Sequence, residues 1–583
     1  MKHLLEEFFT LTGIPRRTVW VLALVGIVSG GANAVLMAIV GETLRNGTAW
    51  QPAQMAGIFV FVALVYFVLQ RYSISRTACL TEEASGYIRT RLLDADLKAP
   101  LAASERFEHH YKRLVLSRDA AQVASGFPGI VGLLSAITTV CCALVYLFWL
   151  SLVAGIVVCT VIGLAIVAYQ TLIWRTTGPL RNAYVEYDRA FGFIDDLLLG
   201  HKELKLDAIW SREFVGCDLN PAIGRAAQLL GKVHAKQQNI SLIGIMTFVG
   251  LLGTAVFVPP LLGASSALMV NTVVVLLFIH AYVFAIVQSF PQLVEMGYAM
   301  GRIRQLMDDL SGGEEADAAS DETLPADWHR LHLCDVGYRY ASSDDPGKFA
   351  LKHVNLTIER GQLIFIVGGN GSGKTTLAKI LLGLYRPSCG EIRLDDVAID
   401  HLNRHQYRQM FNAVFTNVHL FRRRVEGALA DPDSSVRRIL DDMSIELAVS
   451  DDQRLDVRPF SQGQKKRLAS ALALMNDKPM CLFDEWTADQ DPEFRAYFHN
   501  HYLPALKAAG KTLLVISHDD HYFHNADIIV RMEDGQIVSA LPPENALRAR
   551  KEPDDEQNRL DAVCENFDML PALDELLVPD VSA

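Results

Sequence analysis

Residues 368–375 read GGNGSGKT and have the G-x-x-x-x-G-K-T spacing of a phosphate-binding loop. Its glycines allow backbone N–H groups to converge on phosphate oxygens, and a helix predicted over 376–384 adds partial positive charge at its N terminus. Lys374 is expected to reach the β- and γ-phosphates, and the Thr375 hydroxyl to ligate Mg²⁺. Leu363–Val367 predicts the buried strand that must precede such a loop. The sequence therefore predicts a nucleoside triphosphate site.

Two further strand ends carry side chains suited to hydrolysis. Met480–Phe483 predicts a buried strand that ends in Asp484 and Glu485. Asp484 is expected to hold Mg²⁺, and Glu485 to polarise the attacking water beside the γ-phosphate. The alternative is an acidic pair that only caps a helix. A third predicted strand, Thr512–Ile516, leads to His518, which either contacts the γ-phosphate or is an ordinary surface histidine.

Residues 460–467 read FSQGQKKR and precede the carboxylate strand. This segment resembles the LSGGQ signature of ATP-binding cassette (ABC) proteins, and the glycine loop, signature, carboxylates and histidine follow the order of that family. A chain with six predicted membrane spans before one cassette resembles an exporter half-transporter, of the type that includes lipid and multidrug exporters. The resemblance covers nearly the whole chain, up to residue 550.

The resemblance implies a role for each motif residue. Tyr340 would stack on adenine, Asp484 and Thr375 would ligate Mg²⁺, Glu485 would be the catalytic base and His518 the switch histidine. Asp491 stands at the position of the D-loop aspartate. Phosphate contacts within the subunit are implied for Gly368, Asn370, Gly371, Ser372, Gly373, Lys374, Thr375 and Thr376. Contacts to the γ-phosphate bound by another subunit are implied for Ser461, Gly463 and Gln464. ATP and Mg²⁺ are the implied cofactors.

Two departures from the family pattern indicate a branch. The position expected for the Q-loop glutamine holds Thr416, and only 43 residues separate Thr416 from Phe460. Both departures resemble the cyclic-peptide and siderophore exporter branch. So do the S-x-GQ-x-KRLA pattern that begins at Ser461 and the segment DEWTADQDP at 484–492. That branch is similar to the exporters of pyoverdine precursors, syringomycin and microcins. Coupling through the Q-loop is left open by the threonine.

The elements that position these motifs are predicted from where Asp, Glu, Lys and Arg are missing. Charge-free runs cover residues 18–41, 46–70, 120–174 and 237–294. A membrane-crossing helix needs about 20 apolar residues, so each short run predicts one span and each long run predicts a hairpin of two. The total is six spans. Buried soluble helices are the alternative, but they are shorter and have flanking charges.

Basic residues predict the orientation of the spans. Nine occur in residues 71–118 and nine in 175–236, whereas the hairpin turns near Leu150 and at 258–261 have none. Because positive segments stay cytoplasmic, both termini are expected in the cytoplasm. The short spans, the compact loops and the family resemblance indicate a bacterial inner membrane. Cytoplasmic helices are expected over residues 81–97 and 184–205, with bends near 100–108 and 206–215.

The expected fold is an all-α six-helix membrane domain plus an α/β P-loop nucleotide-binding domain. Residues 1–310 form the first, 311–328 a linker, 329–550 the second and 551–583 an acidic tail, which is either solvated or a regulatory or dimer-bracing helix. A composition of 50% hydrophobic and 21% charged residues excludes disordered and collagen-like chains. The net charge of −12 argues against a nucleic-acid partner.

The predicted function is ATP-driven export of a cyclic or modified peptide, or a siderophore-like substrate, by alternating access in a homodimer. The resemblance implies that one cassette supplies only half of each ATP site, so a second copy is the expected partner beside membrane lipids. A lipid flippase or multidrug exporter is the alternative, and an ATP-gated sensor or assembly factor is a third possibility. Polar residues inside the spans would line a cavity or form interhelical hydrogen bonds. They are Asn33, Gln170, Asn271, His280 and Gln288.

Overall fold

The computed structural model describes residues 2–46, 52–261, 266–311, 324–325, 327–340 and 350–422. It also describes residues 424–545, except 426–428, 430, 432–434, 448, 451–452 and 458–459. The chain divides into two compact units, residues 1–99 with 103–314 and residues 100–102 with 315–583. Most of the predicted linker, including residues 312–323, and the predicted tail at 551–583 lie outside the described residues.

Helices make up the described chain before the linker. They are α1 (Lys2–Thr12), α2 (Arg16–Asn46), α3 (Pro52–Lys98), α4 (Leu101–Ser104), α5 (His109–Leu114), α6 (Ala120–Leu150), α7 (Leu152–Trp174), α8 (Thr177–Leu199), α9 (His201–Leu206), α10 (Ala208–Glu213), α11 (Asn220–Leu261) and α12 (Ser266–Ser311). Two π-helical turns, Val115–Asp119 and Phe214–Leu219, continue α5 into α6 and α10 into α11. The amphipathic α1 was not predicted from the sequence; its Phe8 and Leu11 are buried.

Six helical segments among the described residues are long and apolar enough to cross a membrane. They are Arg16–Thr43, Ala53–Lys98, His109–Leu150, Leu152–Leu199, Ala208–Val258 and Met269–Ser311. Large apolar side chains on α3, such as Val60, Phe61 and Phe67, are exposed, as expected of a face that lipid covers. The prediction of six spans is confirmed.

Of the two hairpin turns predicted between membrane spans, one is confirmed and the other is wrong. Helices α6 and α7 meet at Ser151, whose hydroxyl accepts a hydrogen bond of 3.3 Å from the Ala154 amide, so the turn near Leu150 is confirmed. The turn predicted at 258–261 is wrong, because α11 continues through Pro259 and Pro260 to Leu261. The candidate span itself ends at Val258, so the two prolines lie in the last turn of α11, beyond the span.

Several helices extend beyond a bilayer. The 47 residues of α3 span about 70 Å at helical rise, more than twice the hydrocarbon core of about 30 Å. The bends expected near 100–108 and 206–215 are confirmed by the short helices α4 and α10. The continuous helix expected over 184–205 is wrong, because Gly200 separates α8 from α9 with φ −90° and ψ 21°. Glycine has low helix propensity, which favours a break there.

A buried ion cluster joins three helical elements of the first unit. The Arg302 guanidinium on α12 lies 3.0 Å from Asp119 Oδ2 at the end of the first π turn and 2.5 Å from Asp188 Oδ2 on α8. The ring of Tyr111 lies 5.0 Å from the same guanidinium. Because Arg302 and Asp119 are buried, loss of either partner would leave an uncompensated charge.

Two sheets form the second unit. The strands are β1 (Arg330–Arg339), β2 (Ala350–Glu359), β3 (Leu363–Gly368), β4 (Cys389–Leu394), β5 (Val397–Ala398), β6 (Phe411–Val414), β7 (Met480–Asp484), β8 (Thr512–Ile516), β9 (Ile528–Glu533) and β10 (Gln536–Leu541). The helices are α13 (Lys374–Leu381), α14 (Arg404–Gln409), α15 (Ser435–Asp442), α16 (Gln462–Leu474), α17 (Pro492–Tyr497) and α18 (Leu503–Ala508). One sheet has the antiparallel order β2-β1-β4-β5, and the other the order β10-β9-β3-β8-β7-β6.

The larger sheet is parallel where the motifs lie. Strands β3, β8, β7 and β6 pair in parallel, so their carboxyl ends meet at one edge, where open α/β sheets bind ligands. All three strands predicted from the sequence are confirmed, whereas the helix predicted over 376–384 spans Lys374–Leu381 instead. It ends early because Gly383, with φ +67°, follows its last turn. The linker predicted to end at residue 328 is also too long, because Trp328 is fully buried in the core of this unit.

Candidate nucleotide-hydrolysis site

The glycine loop between β3 and α13 has a backbone that side chains would obstruct. Gly368, Gly371 and Gly373 have φ of 154°, 81° and 102°, a region that L-residues avoid. A Cβ on Gly368 would overlap the Met532 carbonyl oxygen and come within 2.7 Å of Ser372 Oγ. The loop therefore requires glycine at these positions, and a loop of this kind before a helix N terminus can direct N–H groups to phosphate oxygens.

Lys374 lies at the start of α13 with its side chain directed back over the loop. Its Nζ donates hydrogen bonds of 3.0 and 2.9 Å to the carbonyl oxygens of Gly368 and Gly369. Burial lowers the pKa of Lys374, and the carboxylates of Glu485 and Asp484 act in the opposite direction. Phosphate oxygens would add negative charge here and favour the ammonium form.

Asp484 ends β7 as a buried carboxylate. It is 1% exposed, and its Oδ1 has no hydrogen-bond partner among the described residues. Burial and the neighbouring Glu485 raise the pKa of Asp484, while the Thr416 hydroxyl and Lys374 oppose the shift. A buried, unpartnered carboxylate oxygen is a hard oxygen ligand of the kind that Mg²⁺ prefers. The residues present fit a magnesium ion.

Thr416 lies beside this carboxylate. It follows β6 by two residues, and its Oγ1 donates a hydrogen bond of 3.2 Å to the Asp484 carbonyl oxygen. The pairing of Val414 with Phe483 sets the two strand ends side by side. The threonine that replaces the expected glutamine therefore contacts the segment that carries the carboxylates.

Glu485 and His518 meet at the adjoining strand ends. Glu485 has a left-handed backbone with φ 49°, and its amide donates a 3.0 Å hydrogen bond to the Ile516 carbonyl oxygen. His518 Nε2 lies 3.4 Å from Glu485 Oε1. Together with Lys374 and Asp484, these side chains form a site where a carboxylate can take a proton from water near a bound phosphate.

Tyr340 follows β1 and reaches the glycine-loop helix. Its hydroxyl lies 2.8 Å from Thr376 Oγ1, and its ring meets Tyr385 edge to face at a centroid distance of 6.0 Å. The predicted adenine-stacking residue is thus linked directly to a residue of the phosphate-binding segment.

The signature residues lie at the start of α16. Ser461 caps the helix, and Gln464 completes a capping box through reciprocal hydrogen bonds of 3.2 and 2.9 Å. Gly463 is buried, and Asp491 caps α17 by accepting a 3.0 Å hydrogen bond from the Phe494 amide. Within the described ranges, no hydrogen bond or ion pair joins Ser461, Gly463 or Gln464 to the glycine loop. The signature residues therefore make their hydrogen bonds within their own segment and with Gln490.

A P-loop hydrolysis site on a parallel sheet, in one chain with six candidate spans, defines a membrane protein that hydrolyses ATP. Residues 351–488 match the family model described as ABC transporter. The sequence is 30% identical over 540 residues to the ATP-binding protein SyrD of Pseudomonas syringae pv. syringae, covering 88% of this chain and 93% of that protein. The chain belongs to the ABC transporter family and is an exporter half-transporter, whose ATP hydrolysis is coupled to transport.

Other comparisons agree with the fold. The solved structure of a bacterial Atm1-family ABC exporter with ATP bound matches with a TM-score of 0.76 at 18% identity, covering 92% of this chain and 98% of that chain. The ATP-dependent lipid A-core flippase of Vibrio vulnificus (strain CMCP6) is 31% identical over 221 residues, 36% of this chain and 37% of that protein.

Sequence reasoning missed one buried cation at this site. Lys466 on α16 is 2% exposed and lies 2.7 Å from Asp489 Oδ2. Its spacing was a usable signal, because helical periodicity places it on the same face as the buried Gly463 and Ser470.

A buried histidine gives the second unit a predicted pH dependence. His499 is fully buried, stacks on Tyr522 at 4.3 Å, and neither of its ring nitrogens has a hydrogen-bond partner in the described part of the chain. Burial lowers the pKa of His499 from 6.5 to about 4. Between these values the unfolded chain binds the proton and the folded chain does not, so the free energy of unfolding should fall as the pH drops through this window, by about 3 kcal/mol in all.

Thermal unfolding of the purified full-length protein across this pH window measures the effect. His499→Phe keeps the ring stacking and should flatten the pH dependence, whereas the exposed His501→Phe on the same helical segment should leave it unchanged. An identical slope in wild type and His499→Phe would assign the pH dependence to other groups.

Proposed function

We propose that the protein is a homodimeric exporter that moves a cyclic or modified peptide, or a siderophore-like molecule, from the cytoplasm across a bacterial inner membrane. The observation that supports the substrate class is a signature and D-loop sequence that resembles the cyclic-peptide exporter branch, in a chain similar to SyrD over 88% of its length. Both termini are proposed to lie in the cytoplasm, because the basic inner segments favour that orientation.

The proposed dimer completes two ATP sites. In a two-fold arrangement the same surface serves both subunits, so the glycine loop of one copy would face Ser461 and Gly463 of the other. Ser461 is exposed at the N terminus of α16, where backbone N–H groups favour an anion. ATP bound between the cassettes would then hold them together until hydrolysis.

Hydrolysis is proposed to use residues already in contact. Glu485 would accept the proton of the attacking water, and His518 at 3.4 Å would hold that carboxylate and contact the γ-phosphate. Lys374 would neutralise phosphate charge, and Tyr340 would stack on the base. Thr375 and Asp484 would hold Mg²⁺, which when bound neutralises charge on the phosphate oxygens.

The transport step is proposed as alternating access of a central cavity. Reversing a 1:99 conformational preference needs about 5.5 kcal/mol of differential binding, which two ATP sites can supply. Among the polar span residues, Asn33 donates a hydrogen bond to the Tyr282 hydroxyl and so acts between helices. His280 lies against Phe248 of the neighbouring α11, with ring centroids 3.9 Å apart, and so also packs between helices.

ATP-dependent uptake into inside-out vesicles tests this proposal. Vesicles with the wild-type protein should take up a cyclic lipopeptide or a peptidic siderophore precursor, and the same compounds should stimulate ATP hydrolysis in nanodiscs. Vesicles with Glu485→Gln are the control and should take up neither. Stimulation by lipid A-core or unrelated drugs alone would indicate a flippase or multidrug exporter, and ATP hydrolysis without uptake of any compound would indicate a sensor or assembly factor.

A further inference from the structure

A lysine occupies the interior of the cassette next to the catalytic segment. Lys466, one turn into α16, is 2% exposed. Its Nζ donates a 2.9 Å hydrogen bond to the Glu485 carbonyl oxygen and lies 2.7 Å from Asp489 Oδ2. Lysines are almost never fully buried unless paired. The pairing partners here are the backbone of the proposed base and a residue of the segment that follows it.

The backbone that Lys466 contacts is conformationally costly. Glu485 has φ 49°, a left-handed conformation that is unfavourable for a residue with a Cβ. Such a conformation persists only when surrounding contacts fix it. On the amide side the contact is the hydrogen bond to Ile516 O at 3.0 Å. On the carbonyl side, the Glu485 oxygen accepts hydrogen bonds from Lys466 Nζ and from the Ala488 amide, the latter at 3.3 Å.

Helix α16 also contacts the rest of the segment 485–490. A Cβ on Gly463 would lie 2.5 Å from the Asp489 carbonyl oxygen, so the helix and this backbone are in close contact. Gln490 Nε2 donates a 3.0 Å hydrogen bond to the Gly463 carbonyl oxygen. Trp486 Nε1 donates to Ser470 Oγ at 2.7 Å. The signature helix therefore packs against the catalytic segment through three positions on one face, Gly463, Lys466 and Ser470, of which Lys466 is the charged one.

We infer that Lys466 is a positioning residue for ATP hydrolysis, which fixes the Glu485 backbone and the Asp489 side chain against the signature helix. The inference rests on the role proposed above for Glu485. Lys466 touches neither phosphate nor water in this role; it determines where the Glu485 carboxylate points. Since a misplacement of about 1 Å can cost roughly a hundredfold in rate, a single buried contact of this kind has a measurable effect on turnover.

The first test compares variants of Lys466 in the purified full-length protein. Lys466→Met should lower kcat by about tenfold to a hundredfold and change the KM for ATP by less than about twofold. Lys466→Arg keeps the charge and both donors and should recover most of kcat. Lys352→Met, at an exposed lysine on β2 outside the signature segment, is the control and should leave both constants unchanged. If Lys466→Met fails to fold, Lys466→Gln keeps a donor toward Glu485 and replaces it.

The decisive measurement repeats the substitution in the Glu485→Gln background under single-turnover conditions. If Lys466 acts by placing the Glu485 carboxylate, Lys466→Met should lower the residual rate by less than about twofold there. Effects that multiply in the double variant would overturn the inference, as would an unchanged kcat in folded Lys466→Met. A Glu485→Gln protein with normal turnover would instead refute the role proposed for Glu485.

Discussion

Glu485→Gln should reduce ATP turnover by about a hundredfold or more, because removal of a general base typically costs 10²–10⁴ in rate. Glutamine has the shape of glutamate and can keep the contact to His518, now 3.4 Å from Glu485 Oε1. Its amide cannot take a proton from water. Binding of ATP does not need that step, so the variant should bind ATP and keep it.

Two measurements distinguish a lost base from a damaged site. Steady-state hydrolysis should fall, while ATP retained through gel filtration should rise above the wild-type amount and the cassettes should stay cross-linkable in the closed dimer. Glu359→Gln is the control, because Glu359 is an exposed partner of Arg330 at the end of β2. Undiminished turnover in Glu485→Gln would remove Glu485 from the mechanism, and loss of ATP binding would indicate a folding defect.

Local chemistry made most of the fold and much of the site predictable. The glycine loop can be read from sequence because Gly368, Gly371 and Gly373 each have a positive φ, and Gly368 also lies close to the Met532 backbone. The strands before Gly368, Asp484 and His518 are short apolar runs, and parallel pairing brings their ends to one edge of the sheet. The spans were predictable because a charge within lipid is costly, so charge-free runs of 55 and 58 residues strongly favour pairs of membrane-crossing helices.

The remaining features depend on contacts between distant segments. Helical spacing places Lys466 on the buried face of α16, but its partners are defined only when α16 packs on the segment after β7, 19 residues later in the chain. The left-handed backbone of Glu485 follows from that packing, since no local rule favours φ 49° at glutamate. In the buried ion cluster of the first unit, Arg302 and Asp188 are 114 positions apart along the chain. Tertiary packing, not local propensity, decides these positions.

The largest expected effect is the difference in ATP hydrolysis between two mixed dimers. In one dimer two substitutions lie on the same subunit, and in the other they lie on opposite subunits. Lys374→Ala should abolish hydrolysis in a homodimer by removing the cation over the glycine loop. Ser461→Arg should do the same by filling the space at the exposed start of α16, where the partner's γ-phosphate is proposed to bind. Mixed dimers isolated through two different affinity tags can then carry one copy of each substitution in either arrangement.

The two arrangements give opposite results if the sites are shared between subunits. With Lys374→Ala in one subunit and Ser461→Arg in the other, both changes fall in one composite site and the second site stays intact, so ATP hydrolysis should remain measurable. With both substitutions in one subunit and a wild-type partner, each composite site contains one change, and hydrolysis should fall to the level of the Lys374→Ala homodimer. The reverse pattern would mean that each chain hydrolyses ATP with its own glycine loop and its own signature. Since both dimers contain the same two substitutions, a general loss of stability cannot produce the difference, and the comparison measures only which subunit completes which site.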